Sequence, residues 1–242
     1  MSELKTEITK DNLDELLREI AKEYRKRAGK NMPAEIILVG GASVLINYGF
    51  RDATTDIDAL IQAASGMKDA INTVGDAHGM DAGWLNTDFI NTGSYTAKIV
   101  QYSKYYRTFS NVLTIRTITA EYLVAMKLRS GRPYKHDLSD IVGILEEHEK
   151  AGNPISEEDV RRAVVDLYGS WEVLPEQSKE FIDTLWNQEK RKELYEEVSA
   201  SEHDAKNMLL GFEQKYPGTI RKIGASEVVH MLRQRKAKEG KD

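Results

Sequence analysis

Hydrophobic and polar residues follow two different periods along the first part of the chain. Apolar side chains recur at helical spacing from 11 to 29, which predicts an amphipathic helix with an Asn or Asp cap in front. The run AEIILVGG (34–41) is apolar apart from Glu35 and predicts a buried strand that ends in glycine. Residues 42–48 then suit a short helix, DIDALIQ (56–62) a second strand, and 65–79 another helix.

The next segments continue the alternation of strands and helices. TAKIVQYS (96–103) and NVLTIRTI (111–118) predict two more strands around an aromatic and basic turn, KYYRTF (104–109). The helical patterns of 119–131 and 136–150 follow. This order predicts an α/β (α+β) fold with a mixed sheet flanked by helices.

The remainder of the chain is almost entirely helical in period. AGNPIS (151–156) breaks the preceding pattern, and the spacing of Ser156 and Asp159 predicts a capping box for the next helix. We therefore predict a first domain over 1–152, which includes the N-terminal helix, and a helical C-terminal domain over 153–242.

Composition narrows the class of protein. The 242 residues are 40% hydrophobic and carry a formal charge of −5, so a broad cationic surface is not expected. The absence of cysteine excludes disulfides and thiolate metal sites. The charged opening lacks a signal core, and an apolar run of the ~20 residues needed to cross a membrane is missing. These features predict a cytoplasmic protein that does not enter the membrane.

Two aspartates stand one residue apart inside the second predicted strand. Residues i and i+2 of a strand point to the same face, so the Asp56 and Asp58 side chains project together and repel each other unless a cation lies between them. Magnesium (or manganese) is the expected ion, because it is bound by one or two carboxylates together with substrate phosphates. The pair therefore predicts a phosphate-bearing substrate.

The glycines before the short helix fit the same chemistry. Gly40 and Gly41 lack a Cβ, so their backbone can approach a phosphate closely, and the following helix directs free N–H groups at the anion. Ser43 can add a hydroxyl. Either motif alone is usually a simple turn or strand end, but the two motifs in succession indicate a nucleotide site.

VGGASVL followed by TTDIDALI resembles the signature of the DNA polymerase beta-like nucleotidyltransferase superfamily. The resemblance implies a nucleotidyltransferase fold in which Asp56 and Asp58 hold metal ions on a nucleoside triphosphate and Gly40, Gly41 and Ser43 bind its phosphates. Well-known members add a third carboxylate on a later strand as general base. Neither 96–103 nor 111–118 contains an acid, so that role is vacant or has moved.

A second set of charges lies on helix faces that are otherwise apolar. Lys127 falls inside the apolar arc of its helix, and Asp137 points into that of the next helix with Asp140 on its flank. Lys127 can instead extend past its neighbours to water, and Asp137 can be a helix cap. Alternatively, Lys127 and Asp137 form an ion pair with each other, or both side chains face a phosphate site.

AMKLRSGRPYKHDLSDIVGIL also resembles the AbiE-type abortive-infection toxins and related nucleotidyltransferase-like proteins. The resemblance implies active-site roles for Lys127 and Asp137, with Asp140 as second choice: Lys127 neutralises developing charge, and Asp137 orients it or serves as base. It also implies that the protein is the toxin of a toxin–antitoxin pair, that this toxin acts on RNA such as tRNA, and that a cognate antitoxin binds it.

These observations predict metal-dependent transfer of a nucleoside monophosphate from a nucleoside triphosphate to a hydroxyl acceptor. Two alternatives stay open. The acceptor can be a small molecule such as an antibiotic, or a protein side chain. The chain can also be a non-catalytic nucleotide-binding or interaction module, which the missing third carboxylate favours.

Overall fold

The computed structural model describes residues 7–186 and 191–239. It contains a mixed five-stranded sheet flanked by helices, followed by a helical C-terminal part, and is 62% helical. The predicted fold class is therefore confirmed. Within the described residues, no helix is both long and apolar enough to cross a membrane.

The strands are β1 (Ile8–Thr9), β2 (Ala34–Leu38), β3 (Ala53–Thr54), β4 (Ile57–Gln62), β5 (Leu85–Asn86), β6 (Ser103–Phe109) and β7 (Leu113–Ile118). The α-helices are α1 (Lys10–Ala28), α2 (Gly40–Asn47), α3 (Met67–Ala77), α4 (Ala120–Ser130), α5 (Asp137–Lys150), α6 (Glu157–Tyr168), α7 (Glu176–Leu185), α8 (Arg191–Lys215), α9 (Thr219–Ile223) and α10 (Ala225–Glu239). Short 3-10 helices cover Asp88–Asn91, Ala97–Tyr102 and Trp171–Val173.

The five-stranded sheet has the order β5-β4-β2-β7-β6. β2 pairs antiparallel with β4 and parallel with β7, while β1 and β3 form a separate antiparallel pair. Apolar side chains of α1 and α3 pack with one face of the sheet in a single core. Ile57 and Ala59 of β4 lie in that core, so Asp58 between them faces the opposite side of the sheet.

Two predicted elements near the middle of the chain are wrong. TAKIVQYS is not a strand, because 97–102 form a 3-10 helix whose Thr96 hydroxyl accepts a hydrogen bond from the Lys98 amide at 3.4 Å. The strand is instead β6, which contains the predicted turn. β6 is an edge strand, so exposed side chains such as Tyr105 give it no alternating apolar pattern. The true turn is at Ser110 and Asn111, where φ is 51° and 54° as in a type I′ hairpin.

Two helix starts also differ from the prediction. α1 begins behind Thr9, whose hydroxyl accepts from the Asn12 amide, so the predicted Asn or Asp cap is instead a threonine. α2 begins at Gly40, so the two glycines are its first turn rather than a loop before it. The capping box predicted at Ser156 is confirmed: the Asp159 amide donates to Ser156 Oγ at 3.1 Å, and the Ser156 amide donates to Asp159 Oδ2 at 3.0 Å.

The chain divides into two compact units that are discontinuous in sequence. The first unit contains the described residues up to Met126 together with Ile155–Trp171, and the second contains Lys127–Pro154 and the described residues from Glu172 onward. The domain boundary between residues 152 and 153 stays a prediction, because compact units are defined by contacts and domains by independent folding.

Candidate functional site

Gly40 and Asp58 are close neighbours in the first unit. β2 and β4 pair with Leu38 opposite Ala59, and the Val39 amide donates to the Asp58 carbonyl at 3.0 Å. A Cβ on Gly40 would lie 3.5 Å from Asp58 Oδ2. The φ of Gly40 is 54°, a backbone conformation that favours glycine. The antiparallel pairing thus brings the Asp58 carboxylate against the first residue of α2.

Gly41, the next residue, lies against a side chain that the sequence analysis did not assign to the site. A Cβ on Gly41 would lie 2.9 Å from Arg51 Nη2 and 3.0 Å from Thr54 Oγ1. The guanidinium also donates through Nε to the Ala53 carbonyl at 3.2 Å. Because β4 pairs antiparallel with β2, the segment from 48 to 56 has to pass the start of α2 again. A side chain of that segment, such as Arg51, is therefore expected near the glycines.

Ser43 carries a buried hydroxyl in the same helix. The residue is fully buried, and its Oγ has no hydrogen-bond partner among the described residues. Its neighbours Ala42, Val44 and Leu45 are buried and apolar. A buried hydroxyl without a partner costs about 1 to 3 kcal/mol. Because the Oγ atom is closed to solvent, a ligand reaches it only if the start of α2 moves.

Asp56 immediately precedes β4 and is partly exposed, as is Asp58. The Thr54 hydroxyl donates to the Asp56 carbonyl at 3.1 Å and so restrains the loop before the strand. In the part of the chain that the structure describes, no group of three or more His, Cys, Asp or Glu side chains is placed to hold a metal ion. Two carboxylates and nearby hydroxyls are hard oxygen donors, which fit magnesium completed by water and phosphate.

Strand β7, one of the segments without the third carboxylate of the superfamily, places an arginine on the sheet face that bears Asp58. Ile37 is opposite both Leu60 of β4 and Arg116 of β7, so Asp58 and Arg116 share this face. Arg116 donates through Nε to Ser103 Oγ at 2.8 Å, and its Nε lies 3.9 Å from Glu35. β7 therefore presents a cation rather than a general base.

Lys127, Asp137 and Asp140 form a buried ion cluster in the second unit. Lys127 Nζ lies 2.6 Å from Asp140 Oδ2 and 3.3 Å from Asp137 Oδ1. Lys127 is only 5% exposed, so it does not extend to water. Arg132 Nε donates to Asp137 Oδ2 at 2.9 Å. Burial opposes ionisation of Asp137, but Lys127 and Arg132 outweigh it and hold the pKa of this carboxyl well below its usual range.

A further buried carboxylate, Glu202 of α8, contacts the first turn of α5. It accepts hydrogen bonds from the Leu138 amide at 2.9 Å and from Ser139 Oγ at 2.6 Å. Burial raises the pKa of Glu202 to about 7, although these hydrogen bonds oppose the shift. Sequence patterns do not identify Glu202, because it lies in a highly charged helical segment where no local pattern separates a buried acid from an exposed one.

The glycine and aspartate residues of the first unit and the Lys127 cluster of the second unit both lie in the segment that matches one protein family. Neither a curated protein nor a solved structure matches the chain. One family model matches residues 15–191, a segment that contains the glycines of α2, both aspartates of the DID motif and the buried lysine of α4. The match covers well over half of the sequence, so the chain belongs to a family of nucleotidyltransferases of unknown function, DUF6036.

Proposed function

We propose that the protein transfers a nucleoside monophosphate from a nucleoside triphosphate to a hydroxyl acceptor and requires a divalent metal ion. In this reaction the acceptor hydroxyl gives up its proton to a base or to water and its oxygen bonds to the α-phosphorus. The bond from that phosphorus to its leaving oxygen breaks, and pyrophosphate departs. Membership of the family supports the reaction class. The metal ion, the triphosphate donor and the acceptor go beyond that reaction class and are proposed from the site.

The contact between Asp58 and Gly40 carries the proposal. A carboxylate 3.5 Å from the Cβ position of a helix-starting glycine repels anions by itself. A divalent cation held by Asp56 and Asp58 reverses that effect, since the N–H groups of α2 and the cation then attract the same phosphate chain.

Each residue of the site has a distinct task in this proposal. Asp56 and Asp58 would hold magnesium (or manganese), which when bound neutralises charge on the phosphoryl oxygens. The amides of Gly40 and Gly41 are the proposed phosphate donors, because these residues carry no Cβ of their own. The phosphate-binding role of Ser43 stays a prediction from the family resemblance, because its hydroxyl is closed to solvent. The roles of Lys127, Asp137 and Asp140 stay predictions from the family resemblance.

The proposed acceptor is RNA, with tRNA as the specific candidate, and the proposed biological role is the toxin of an abortive-infection or toxin–antitoxin pair. Resemblance to the AbiE-type toxins is the support for both. Small molecules and protein side chains are the competing acceptors. Incubation with each α-labelled nucleoside triphosphate and total RNA, total protein or a small-molecule extract separates these acceptors by the fraction that retains label.

Substitution of the two aspartates tests the proposal without relying on the acceptor. Asp56→Asn and Asp58→Asn should abolish transfer and remove the magnesium-dependent part of nucleoside triphosphate binding. Asp52→Asn is the matched control, because Asp52 is an exposed carboxylate of the same loop. Unchanged magnesium-dependent binding in both variants of the pair would reject the proposed metal site.

A non-catalytic nucleotide-binding module is the second candidate, and the arginine on β7 favours it. Strands β6 and β7 contain no acidic residue, and Arg116 lies on the face shared with Asp58. Tight, magnesium-dependent nucleotide binding without turnover on any of the acceptor fractions would establish this function instead.

A further inference from the structure

An open cleft lies between the end of α8 and α10, within the second unit. Its volume is about 380 Å³, in the range of clefts that bind ligands. Among the described residues that line it, none is acidic, and the side chains used below are Gly211, Phe212, Lys215, Tyr216, Arg235 and Lys236. Residues 215–237 contain six Lys and Arg residues and one acidic residue, although the whole chain has a formal charge of −5. The cleft therefore lies in a local cationic region that attracts a polyanion.

Two aromatic rings form one wall of the cleft. Phe212 and Tyr216 are four residues apart, and their ring centroids are separated by 5.0 Å. Phe212 packs against the small core that contains Leu209, so the position of the pair is fixed. Tyr216 is nevertheless 47% exposed, and Lys215 Nζ lies 5.7 Å from the centroid of its ring. A fixed, exposed ring beside a cation is suited to a nucleotide, whose base stacks on the ring while its phosphate meets the cation.

Gly211 lines the same cleft from inside α8. Glycine within a helix is less favourable than alanine, so its use there needs a reason. Apart from neighbouring backbone, a Cβ on Gly211 would meet no heavy atom of the described residues within 4 Å. The packing of the chain therefore does not require this glycine. Its missing side chain leaves room in the cleft, and a bound ligand would use that room.

We propose that this cleft binds single-stranded RNA, with one base stacked on Tyr216 and the adjacent phosphates near Lys215 and the two cations of α10. An acidic peptide supplies the charge but not the planar rings, and a flat lipid surface does not enter a cleft. Lys236 is 3.7 Å from Asp204, but both side chains are exposed, and such a pair is weak enough to yield to phosphate. RNA is chosen over DNA because each of its nucleotides carries a 2′-hydroxyl, and in this choice alone the inference rests on the proposed hydroxyl acceptor.

Binding of a fluorescent oligouridine to the whole chain in EDTA is the direct test, because EDTA keeps the proposed metal site out of the measurement. Wild type should bind, and Tyr216→Ala should bind about ten-fold more weakly, the loss expected for one stacked base. Tyr216→Phe should bind as wild type does, because the ring remains. Lys215→Gln should lower the slope of log affinity against log salt by about 0.7, the value for one phosphate contact on a single strand.

Gly211→Glu tests the cleft without disturbing the packing of the protein. It places bulk and negative charge at an exposed position where no neighbouring side chain is displaced, so the variant should fold and should lose oligouridine binding. Lys150→Gln is the control, because it removes an exposed lysine of the same unit that is paired with Glu146 at 3.1 Å. This control should bind oligouridine as tightly as wild type.

The outcomes separate this inference from the proposed function. Failure of wild type to bind oligouridine, or unchanged affinity in Gly211→Glu, would refute the cleft, and the second result decides even if Tyr216→Ala does not fold. Equal or tighter binding of oligodeoxyuridine, an oligoglutamate peptide or anionic phospholipid vesicles would refute RNA as the occupant. Magnesium-dependent nucleoside triphosphate binding, measured without RNA, should be the same in Gly211→Glu as in wild type. Its loss in Asp58→Asn would support the metal site even where the cleft had been refuted.

Discussion

The Arg51 guanidinium occupies the space that a Cβ on Gly41 would need in the first turn of α2. Only the absence of a Cβ allows the approach, because that atom would lie 2.9 Å from Arg51 Nη2. Real Cβ atoms essentially never come so close to another heavy atom. The glycine therefore allows a cation to lie against the first turn of the helix, and its replacement should displace that cation.

The first prediction is that Gly41→Ala weakens nucleoside triphosphate binding by about ten-fold, the loss expected for one charge-assisted hydrogen bond. The free energy of unfolding should change by less than about 1 kcal/mol, because the gain in helix propensity offsets the displacement of the flexible Arg51 end. Isothermal titration and urea unfolding measure the two quantities.

Gly49→Ala is the matched control for this substitution. A Cβ on Gly49 meets no heavy atom of the described residues within 4 Å, so it should change neither binding nor folding. Unaltered triphosphate affinity in Gly41→Ala would exclude the first turn of α2 from the site.

The second prediction separates stability from binding at Ser43. Its hydroxyl is fully buried and lacks a hydrogen-bond partner among the described residues, so Ser43→Ala removes a desolvated polar group. The variant should unfold at equal or higher urea concentration, with a gain of about 1 kcal/mol. Nucleoside triphosphate binding should weaken, because the ligand loses a donor. A variant that is less stable yet binds normally would show that the hydroxyl has a structural role.

Sequence patterns predicted the central part of the fold because its signals are local. The largely apolar run of β2 and the alternation around Asp58 in β4 each follow from side chains that meet one core. The glycines were identified for the same reason, since their conformational freedom is a property of single residues. The predicted metal and nucleotide roles of these residues stay predictions.

The errors and omissions arise from packing that a local pattern does not contain. Ile99 lies in a 3-10 helix and is fully buried, so its apolar segment has the pattern of a strand without being one. β6 lies at the exposed edge of the sheet, so its polar and aromatic residues have the pattern of a turn. Arg51 reaches the site only because β4 returns beside β2. Glu202 contacts α5 through a separation of more than sixty residues, which periodicity along α8 does not reveal.

The third prediction concerns the pH dependence of folding. The pKa of Glu202 is about 7 in the folded protein against 4.5 without the surrounding structure. Between these values the folded state binds more protons than the unfolded state, so the contribution of Glu202 to the free energy of unfolding decreases as pH rises. The full interval corresponds to about 3 kcal/mol. Asp137 does not interfere, because its lowered pKa places its effect below pH 3.8, where stability is lost as pH falls.

Glu202→Gln isolates this effect, since the amide oxygen can still accept from the Leu138 amide but no longer ionises. Wild type should lose up to about 3 kcal/mol of unfolding free energy relative to this variant between about pH 5 and pH 8. Urea unfolding at both pH values measures the difference, with Glu146→Gln as an acid more exposed than Glu202. A pH-independent difference between wild type and Glu202→Gln would contradict the raised pKa.

The last prediction is that Lys127 and Asp137 act as one unit in transfer. Lys127→Met and Asp137→Asn should each reduce turnover strongly, and the double variant should be little slower than either single one, since groups that act together are not additive. Lys127→Met should also lose about 3 to 5 kcal/mol of stability, because it leaves the buried Asp140 carboxylate without the ammonium 2.6 Å away. Asp137→Asn and Asp140→Asn should each cost less, because Lys127 keeps the other aspartate as a partner.

Measuring both transfer and unfolding over the complete double-mutant cycle separates catalysis from packing. Lys150→Met is the control: it removes an exposed lysine paired with Glu146 at 3.1 Å, and such surface pairs contribute at most about 1 kcal/mol. Transfer must be compared at temperatures where every variant is folded, so that lost stability does not imitate lost chemistry. Full transfer by folded Lys127→Met or Asp137→Asn would make the cluster a structural ion pair, because a charge used in the reaction cannot be removed without slowing it.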